Sequence, residues 1–421
     1  VSYDRSGITL DDLTDGTWLV ENQPIIIYYG GEDLPGSEYE MIFKGRVKRL
    51  ESWDNSTLTL SVQDLTEDLY KSEINPNVID AATYPNAGAN TDKPKPFGVG
   101  YCKFVKPLLI DTSTNTYMFH DNTTVAYTAL YSVYVDGASV SFTDNTNGTF
   151  TLSSAPTGTV TCDFAGAWGL VPALGTEVSN LLTTFGGLTA GDIDSTYITN
   201  LNTALPYSPG YWFSKPTDVL TAIDTLASGW PIWYGFTRDG IFRIAEFTIP
   251  TGSADHDLTE AEILRDSFSA RPVGDVLYKQ RIGYAHVFNP IPEGQQAGTV
   301  AYATRLLQAE AWQYISLTNA ATLTDFPLAT FGGDIFCYVW INTTHVNWLV
   351  YKHLMLRCAY FREITLQVKF LDFEFELGDS VSITWTTDMG YNRFNLSSSL
   401  FRITEIAEDY DTNTITLKLW G

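Results

Sequence analysis

LFRITEIAEDYDTNTITLKLWG, residues 400–421, reads as a hairpin in which apolar side chains alternate along two strands on either side of a polar EDYD tip at 408–411. FKGRVKRLESWDNSTLTLSV, residues 43–62, carries the same pattern. The likeness extends upstream, because LVENQPIIIYY (19–29) and FELGDSVSITW (375–385) are each a strand end, a polar turn and an alternating strand. Ile25 to Val47 spans 22 positions, and so does Val381 to Ile403. The closing hairpins differ by one residue, with 11 positions from Val47 to Leu58 against 12 from Ile403 to Ile415. That residue is expected in the turn, where it leaves both strand faces intact. Preserved spacing favours a duplication over two unrelated amphipathic hairpins.

A chain of 421 residues allows two to four domains. Hydrophobic residues make up 44% and charged residues 18%, so the surface is largely neutral and suited to burial in an assembly. Asp and Glu number 49 against 25 Lys and Arg, a net charge of -24, which argues against capture of nucleic acid through its phosphates. Cys102, Cys162, Cys337 and Cys358 show no CxxC spacing, so they are expected as buried thiols rather than zinc ligands. With no signal peptide and no apolar run of about 18 residues, neither secretion nor membrane insertion is expected. A secreted β-rich adhesin stays as a third class, which predicts a signal sequence upstream of Val1 and occupied Asn-x-Ser/Thr sequons such as Asn55–Thr57 and Asn342–Thr344.

Alternating runs broken by Asp-Gly, as in YSVYVDGASVSF (131–142) and YGFTRDGIFRI (234–244), predict further hairpins. Four helices are expected: one capped by Thr176 with Val178, Leu181, Leu182 and Phe185 on one face; one opened by Ser214 and Pro216 and stopped at Gly229; one behind a Thr259/Glu262 capping box; and one over 346–358. The fold class is therefore mainly β with interleaved short helices (α+β).

Catalytic patterns are lacking, and no cofactor or metal is expected. GVGYCK (98–103) has no third glycine, and DNTNG (144–148) lacks the closing Glu of a calcium loop. His345 and His353 stand eight apart, too far for an i, i+4 metal pair, and His120, His256 and His286 are scattered. Trp212, Trp230 and Trp233 beside Tyr211 and Tyr234 offer sugar-stacking surface, yet aromatics near a helix and hairpin are more often core. The expectation is a non-enzyme. The alternative kept is a carbohydrate-binding or glycan-cleaving virion protein, although no two carboxylates are singled out as a pair.

The doubled hairpin unit, the turn LGDSV (377–381), the segment LTEAEILRDSF (258–268) and the ending at 401–421 together resemble the tail-tip or baseplate hub proteins of tailed bacteriophages. The module PFGVGYCKFVKPLLIDTSTNTYMFHDN (96–122) with SVYVDGASV (132–140) is similar to a piece recurring in phage and prophage proteins. The resemblance implies two tube-protein-like β-barrel domains, residues 1–72 and 365–421, with a linker at 73–96, a small β module at 97–168 and a mixed α/β collar at 169–364 inserted between them. It implies a homotrimer presenting six barrels to a six-fold tail tube. The implied partners are the tube or a distal tail protein, a central fibre or spike and a tape-measure protein, with DNA crossing the lumen unbound. Location at the virion tail tip, after assembly in the host cytoplasm, is implied too. With no long C-terminal extension, the lytic or fibre domains of some relatives are not expected.

Two charge patterns fit such a ring. LDFEFEL (371–377) alternates Asp372, Glu374 and Glu376 with Phe373, Phe375 and Leu377, and like charges on one strand face need solvent or a channel. Glu38 and Glu40 repeat the theme more weakly. These five are candidates for lining a lumen or an interface, against an ordinary solvated strand face. Lys44, Arg46, Lys48 and Arg49 form the one dense basic patch, a candidate inter-subunit contact against an acidic neighbour.

Overall fold

The computed structural model describes residues 20–30, 35–53, 57–339, 343–369, 375–389 and 392–421. Near one end of the chain, strands Pro24–Tyr29, Glu40–Trp53 and Leu58–Gln63 form an antiparallel meander. At the other end, Ser380–Met389, Asn392–Asp409 and Thr414–Trp420 form a second one.

The two meanders share their register through the first hairpin and into the second, as far as the pairs Leu50–Leu60 and Ile406–Leu417. Pro24 opposes Arg46 and Ile25 opposes Gly45, just as Ser380 opposes Arg402 and Val381 opposes Phe401. Each first strand has an irregularity at the equivalent place, between Ile27 and Tyr28 and between Ile383 and Trp385. Each second strand is bulged just past the pairs Val47–Val62 and Ile403–Leu419. The turns ahead of them match as well. Asn22 (φ 65°) and Gly378 (φ 88°) are both left-handed. Asn22 N–H donates to Val47 O at 2.8 Å while Val47 N–H donates to Gln23 O at 2.9 Å; Gly378 N–H and Ile403 N–H repeat this toward Ile403 O and Asp379 O at 3.0 and 2.9 Å. Even a side chain is repeated: Arg46 Nη1 donates to Asn22 O at 3.1 Å, and Arg402 Nη1 donates to Gly378 O.

The spare residue of the last hairpin is not in its turn. The pairs Trp53–Leu58 and Asp409–Thr414 close loops of equal length, and the first meander instead skips Glu51 in a second bulge between Leu50 and Ser52. A bulge absorbs the mismatch locally, so the pairing on its far side is kept.

Arg402 also reaches Thr248 O from Nε at 3.1 Å and Thr248 Oγ1 from Nη2 at 3.3 Å, tying the last meander to the inserted region. Hydrogen bonds from a charged donor contribute about 1.5–3 kcal/mol in net terms. Arg402→Ala is therefore expected to lower stability by about 2 kcal/mol, read as a shift of the urea midpoint at unchanged slope.

The expected β-barrels are a correction: no sheet of the described residues closes on itself. The first meander holds three strands. The last belongs to a six-stranded sheet in the order His256–Leu258, Ser380–Met389, Asn392–Asp409, Thr414–Trp420, Arg362–Lys369, Ser269–Pro272, which ends in two unjoined edges. Closure needs every strand to have two neighbours, with about eight strands enclosing a core of side chains. Both sheets are open, and the six-stranded one is covered on one face by Ile364, Leu366, Val381, Ile403, Leu417 and their neighbours.

Between the meanders, residues 101–165 form two four-stranded sheets packed over Phe119, Phe150, Phe164, Val133 and the thiols Cys102 and Cys162. Cys337 is buried too, Cys358 is half-buried, and all four cysteines are free. The Asp136–Gly137 hairpin tip of this module is gripped from outside, because Ala297 N–H donates to Asp136 O at 2.8 Å and Gln308 Nε2 to Gly137 O at 3.3 Å. At the other end Phe97–Val99 pairs with Tyr211–Phe213. A larger core unites helices Leu174–Thr184, Ser195–Ala204, Val219–Ala227 and Thr343–Met355 with strands around Phe242 and Ile282.

Two predicted helix starts move, and the helix expected over 346–358 runs Thr343–Met355. The first helix begins after Ala173 rather than at Thr176, and the second is capped by Asp218, whose Oδ1 accepts from Thr221 N–H at 2.8 Å. Thr259 N–H does donate to Glu262 Oε2 at 2.8 Å, but only a 3₁₀ turn, Arg265–Ser267, follows. Pairing with the last sheet claims the flanking segments on both sides. The chain also holds helices that periodicity did not reveal, among them Ser195–Ala204, capped by Asp194, and Tyr302–Ala309. Glu177, in the first large helix, is fully buried and neither of its oxygens has a hydrogen-bond partner.

Candidate assembly interface

The two meanders meet. A groove of about 550 Å³ runs between them, walled by Ile27, Ile42 and Val62 on one side and Leu377 and Ile406 on the other, with Phe236 at its end. The hairpin Ile232–Phe236 and Phe242–Glu246 projects Arg238 into this groove because its tip turns at Asp239–Gly240, with Gly240 at φ +77°. Arg238 Nη2 donates to Phe375 O at 3.1 Å, and its guanidinium pairs with Glu408. Tyr410 Oη donates to Glu408 as well, while the Tyr410 ring lies 5.3 Å from that of Tyr29. One chain of contacts thus runs from the inserted hairpin through the last meander to the first.

Of the acidic candidates, Asp372 and Glu374 lie outside the described residues. Glu376 lines the groove just ahead of the Leu377–Gly378 turn. Burial pushes its carboxyl above the usual range, against the pull of Arg238 and Arg243. Its backbone N–H donates to Asp379 Oδ2 at 2.9 Å. Glu38 and Glu40 are exposed, Glu38 in a 3₁₀ turn and Glu40 at the start of its strand. The structure brings neither of them to Glu376.

The basic candidates separate. Arg46 is half-buried and pairs with Asp68, and Arg49 pairs with Glu51 at 2.7 Å. Lys44 lines the groove with its stem against Gly240. Lys48 is exposed. Sequence reasoning missed Arg238, Glu408 and Tyr410. The EDYD tip does form a turn, with Asp409 Oδ1 accepting from Asp411 N–H at 3.0 Å, but Glu408 and Tyr410 face the groove rather than solvent.

The aromatic residues weighed for sugars belong mostly inside. Trp212 and Trp230 are buried, and Trp212 Nε1 donates to Phe119 O at 2.8 Å. Among the described residues no three His, Cys, Asp or Glu side chains gather as a metal site. His353 Nε2 bonds Gly229 O at 2.8 Å and His345 stacks on Tyr207, so the two do not converge. No helix of the described residues is long and apolar enough to cross a membrane.

No family model matches this chain, and no curated protein does. Among solved structures, a chain from the virion of a native gene transfer agent particle is similar over 79% of this chain and 85% of its own, at a TM-score of 0.51 and 10% identity. The chain thus has a fold found in a virion protein. Weaker likenesses are to the 43 kDa tail protein of prophage MuSo2 from Shewanella oneidensis (TM-score 0.40, 12% identity, 90% and 78% covered) and to a tail protein from Neisseria meningitidis MC58 (0.35, 9%, 80% and 95%).

Proposed function

We propose that this chain is a structural virion protein, a trimeric hub at the distal end of a phage tail tube. One observation carries the reading: a single chain holds two meanders of the same register in contact with each other. Three such chains around one axis offer six like units, which is how a three-fold tip meets a six-fold tube. The fold shared with a virion chain supports a structural role.

In this reading residues 1–72 and 365–421 contribute the tube-facing sheets, 73–96 link them to the small module at 97–168, and 169–364 form the collar. The ring contacts the tube or a distal tail protein on one side and a central fibre or spike on the other, with a tape-measure protein and DNA passing the lumen. Glu38, Glu40, Asp372, Glu374 and Glu376 are assigned to lumen or interface, where negative potential keeps the DNA backbone from adsorbing. Lys48 and its neighbours Lys44, Arg46 and Arg49 are assigned to subunit register.

The test is native mass measurement together with an image of the intact particle labelled at Gly421. A trimer on the tube axis supports the hub; a single copy off the axis, or cleavage of glycans, overturns it. Lys48→Glu with Arg49→Glu is expected to slow trimer association on the order of tenfold at low salt, with the difference shrinking as ionic strength rises.

A further inference from the structure

Strands Leu277–Tyr284, Gln313–Thr318 and Thr330–Phe336 form a three-stranded sheet with the first of them in the middle. The whole sheet and both its connections lie within the described stretch 57–339. Its inner face gives Ile282, Ile315, Leu317 and Ile335 to the larger core, against the helix Thr343–Met355. A sheet covered on one side ordinarily turns polar residues outward. Here the outer face stays aromatic. Along it Gly283 opposes Tyr314 and Phe336, Arg281 opposes Ser316 and Asp334, and Lys279 opposes Thr318 and Phe331.

The side chains of this face hold one another in place. Arg281 Nε donates to Asp334 Oδ1 at 2.6 Å, and the guanidinium lies 4.8 Å from the Tyr314 ring centre and 5.9 Å from that of Phe331. Lys279 Nζ stands 5.3 Å from the Phe331 ring centre. At the end of the sheet, a turn closed by Ala329 N–H on Phe326 O at 2.9 Å presents Leu328, which is 93% exposed. Among the described residues, five of the eighteen exposed large apolar side chains fall within 314–336: Tyr314, Leu323, Leu328, Phe331 and Phe336. Apolar side chains so concentrated on a surface mark a contact, and aromatic residues around an arginine are the composition of a protein interface.

We infer that this outer face is a contact surface for a second copy of the chain, met head-to-tail. Charge selects the occupant. Residues 276–360 hold four Asp or Glu against five Lys or Arg, whereas the whole chain holds 49 against 25. Two molecules of net charge -24 repel wherever their acidic surfaces meet, so copies associate where acids are scarce. Face to face, Lys279 and Arg281 of two copies would stand against their own counterparts, like charge on like. The face therefore meets a different surface of the next copy, and a head-to-tail contact closes into a ring when its rotation allows. The number of copies, three, rests on the hub reading; the contact itself does not.

Two experiments on the full-length chain test this. With Ser316, exposed in the middle of the face, replaced by the photo-cross-linker p-benzoylphenylalanine, irradiation is expected to join two copies, at a position outside residues 312–336 of the second. A cross-link inside 312–336 would mean a two-fold pair, and one formed only with a different protein of the particle would mean another occupant. Either overturns the inference, and so does the absence of any cross-link. Separately, Leu328→Asp with Phe331→Asp is expected to raise the concentration at which the assembly half-dissociates at least about tenfold, read by mass measurement. The urea midpoint is expected to hold, because both side chains are exposed. Unchanged dissociation also overturns the inference. A trimer that gives no cross-link and tolerates both substitutions leaves the hub reading standing; cross-linked assemblies of another number sink the hub reading and leave this contact.

Discussion

Gly378→Ala is expected to destabilise the protein by about 3–5 kcal/mol, whereas Asn22→Ala, at the equivalent backbone position, is expected to cost only about 1 kcal/mol. Both residues are left-handed, at φ 88° and 65°, and a side chain without local hydrogen bonding loses about 1 kcal/mol there. The difference lies in the surroundings. A Cβ on Gly378 would stand 2.1 Å from the Trp233 ring, which the hairpin Ile232–Phe236 holds in place. Relief requires moving the ring or the turn, and the turn carries both the Arg402 bond to Gly378 O and the pairing of Gly378 with Ile403. Chemical denaturation of the two variants measures the contrast. Equal costs would mean that the turn moves independently of the inserted hairpin.

Glu177→Gln is expected to stabilise the protein at pH 7 and to do so much less at pH 4. Burial pushes the Glu177 carboxyl well above the ordinary carboxylate range, and no cation or donor offsets it. The folded chain therefore keeps a proton there that the unfolded chain releases above its model value of 4.5. Between that value and the raised folded one, the native state binds more protons, so stability falls as pH rises by about 1.4 kcal/mol per unit from this group. Gln keeps the volume and removes the titration. Urea midpoints of both proteins across pH 4–8 read the effect, and parallel curves would show that the carboxyl is solvated.

The meanders were legible because their information is local in sequence: alternation sets the faces, and a preserved spacing sets the register. That is why Ile25, Val47, Val381 and Ile403 align in space as they do in sequence. Closure was not legible, since it depends on which distant segments join an edge. His256–Leu258 pairs 125 positions along the chain and Ser269–Pro272 at least 90, and three or four residues carry too little periodicity to announce a strand. The barrel expectation followed from resemblance, and the open edges replace it.

The candidate site was half legible for a related reason. The basic run on Glu40–Trp53 was visible as composition, but the pairing of Arg46 with Asp68 depends on how the helix Thr66–Lys71 folds back on the sheet. Arg238 and Glu408 are 170 positions apart, and no spacing rule links them. The Asp-Gly turn gave the hairpin but not its destination. Ser195–Ala204 escaped because only Leu201 of that helix is buried, leaving a weak apolar stripe.

The small β module is held at its root by Phe97–Val99 and at its far tip by Ala297 and Gln308. A body pinned at both ends works as a strut rather than a tether. Any torque applied to the module is passed into the segments around Tyr211–Phe213, Ala297 and Gln308 instead of being spent in swivelling, so a load on one reaches the other without slack.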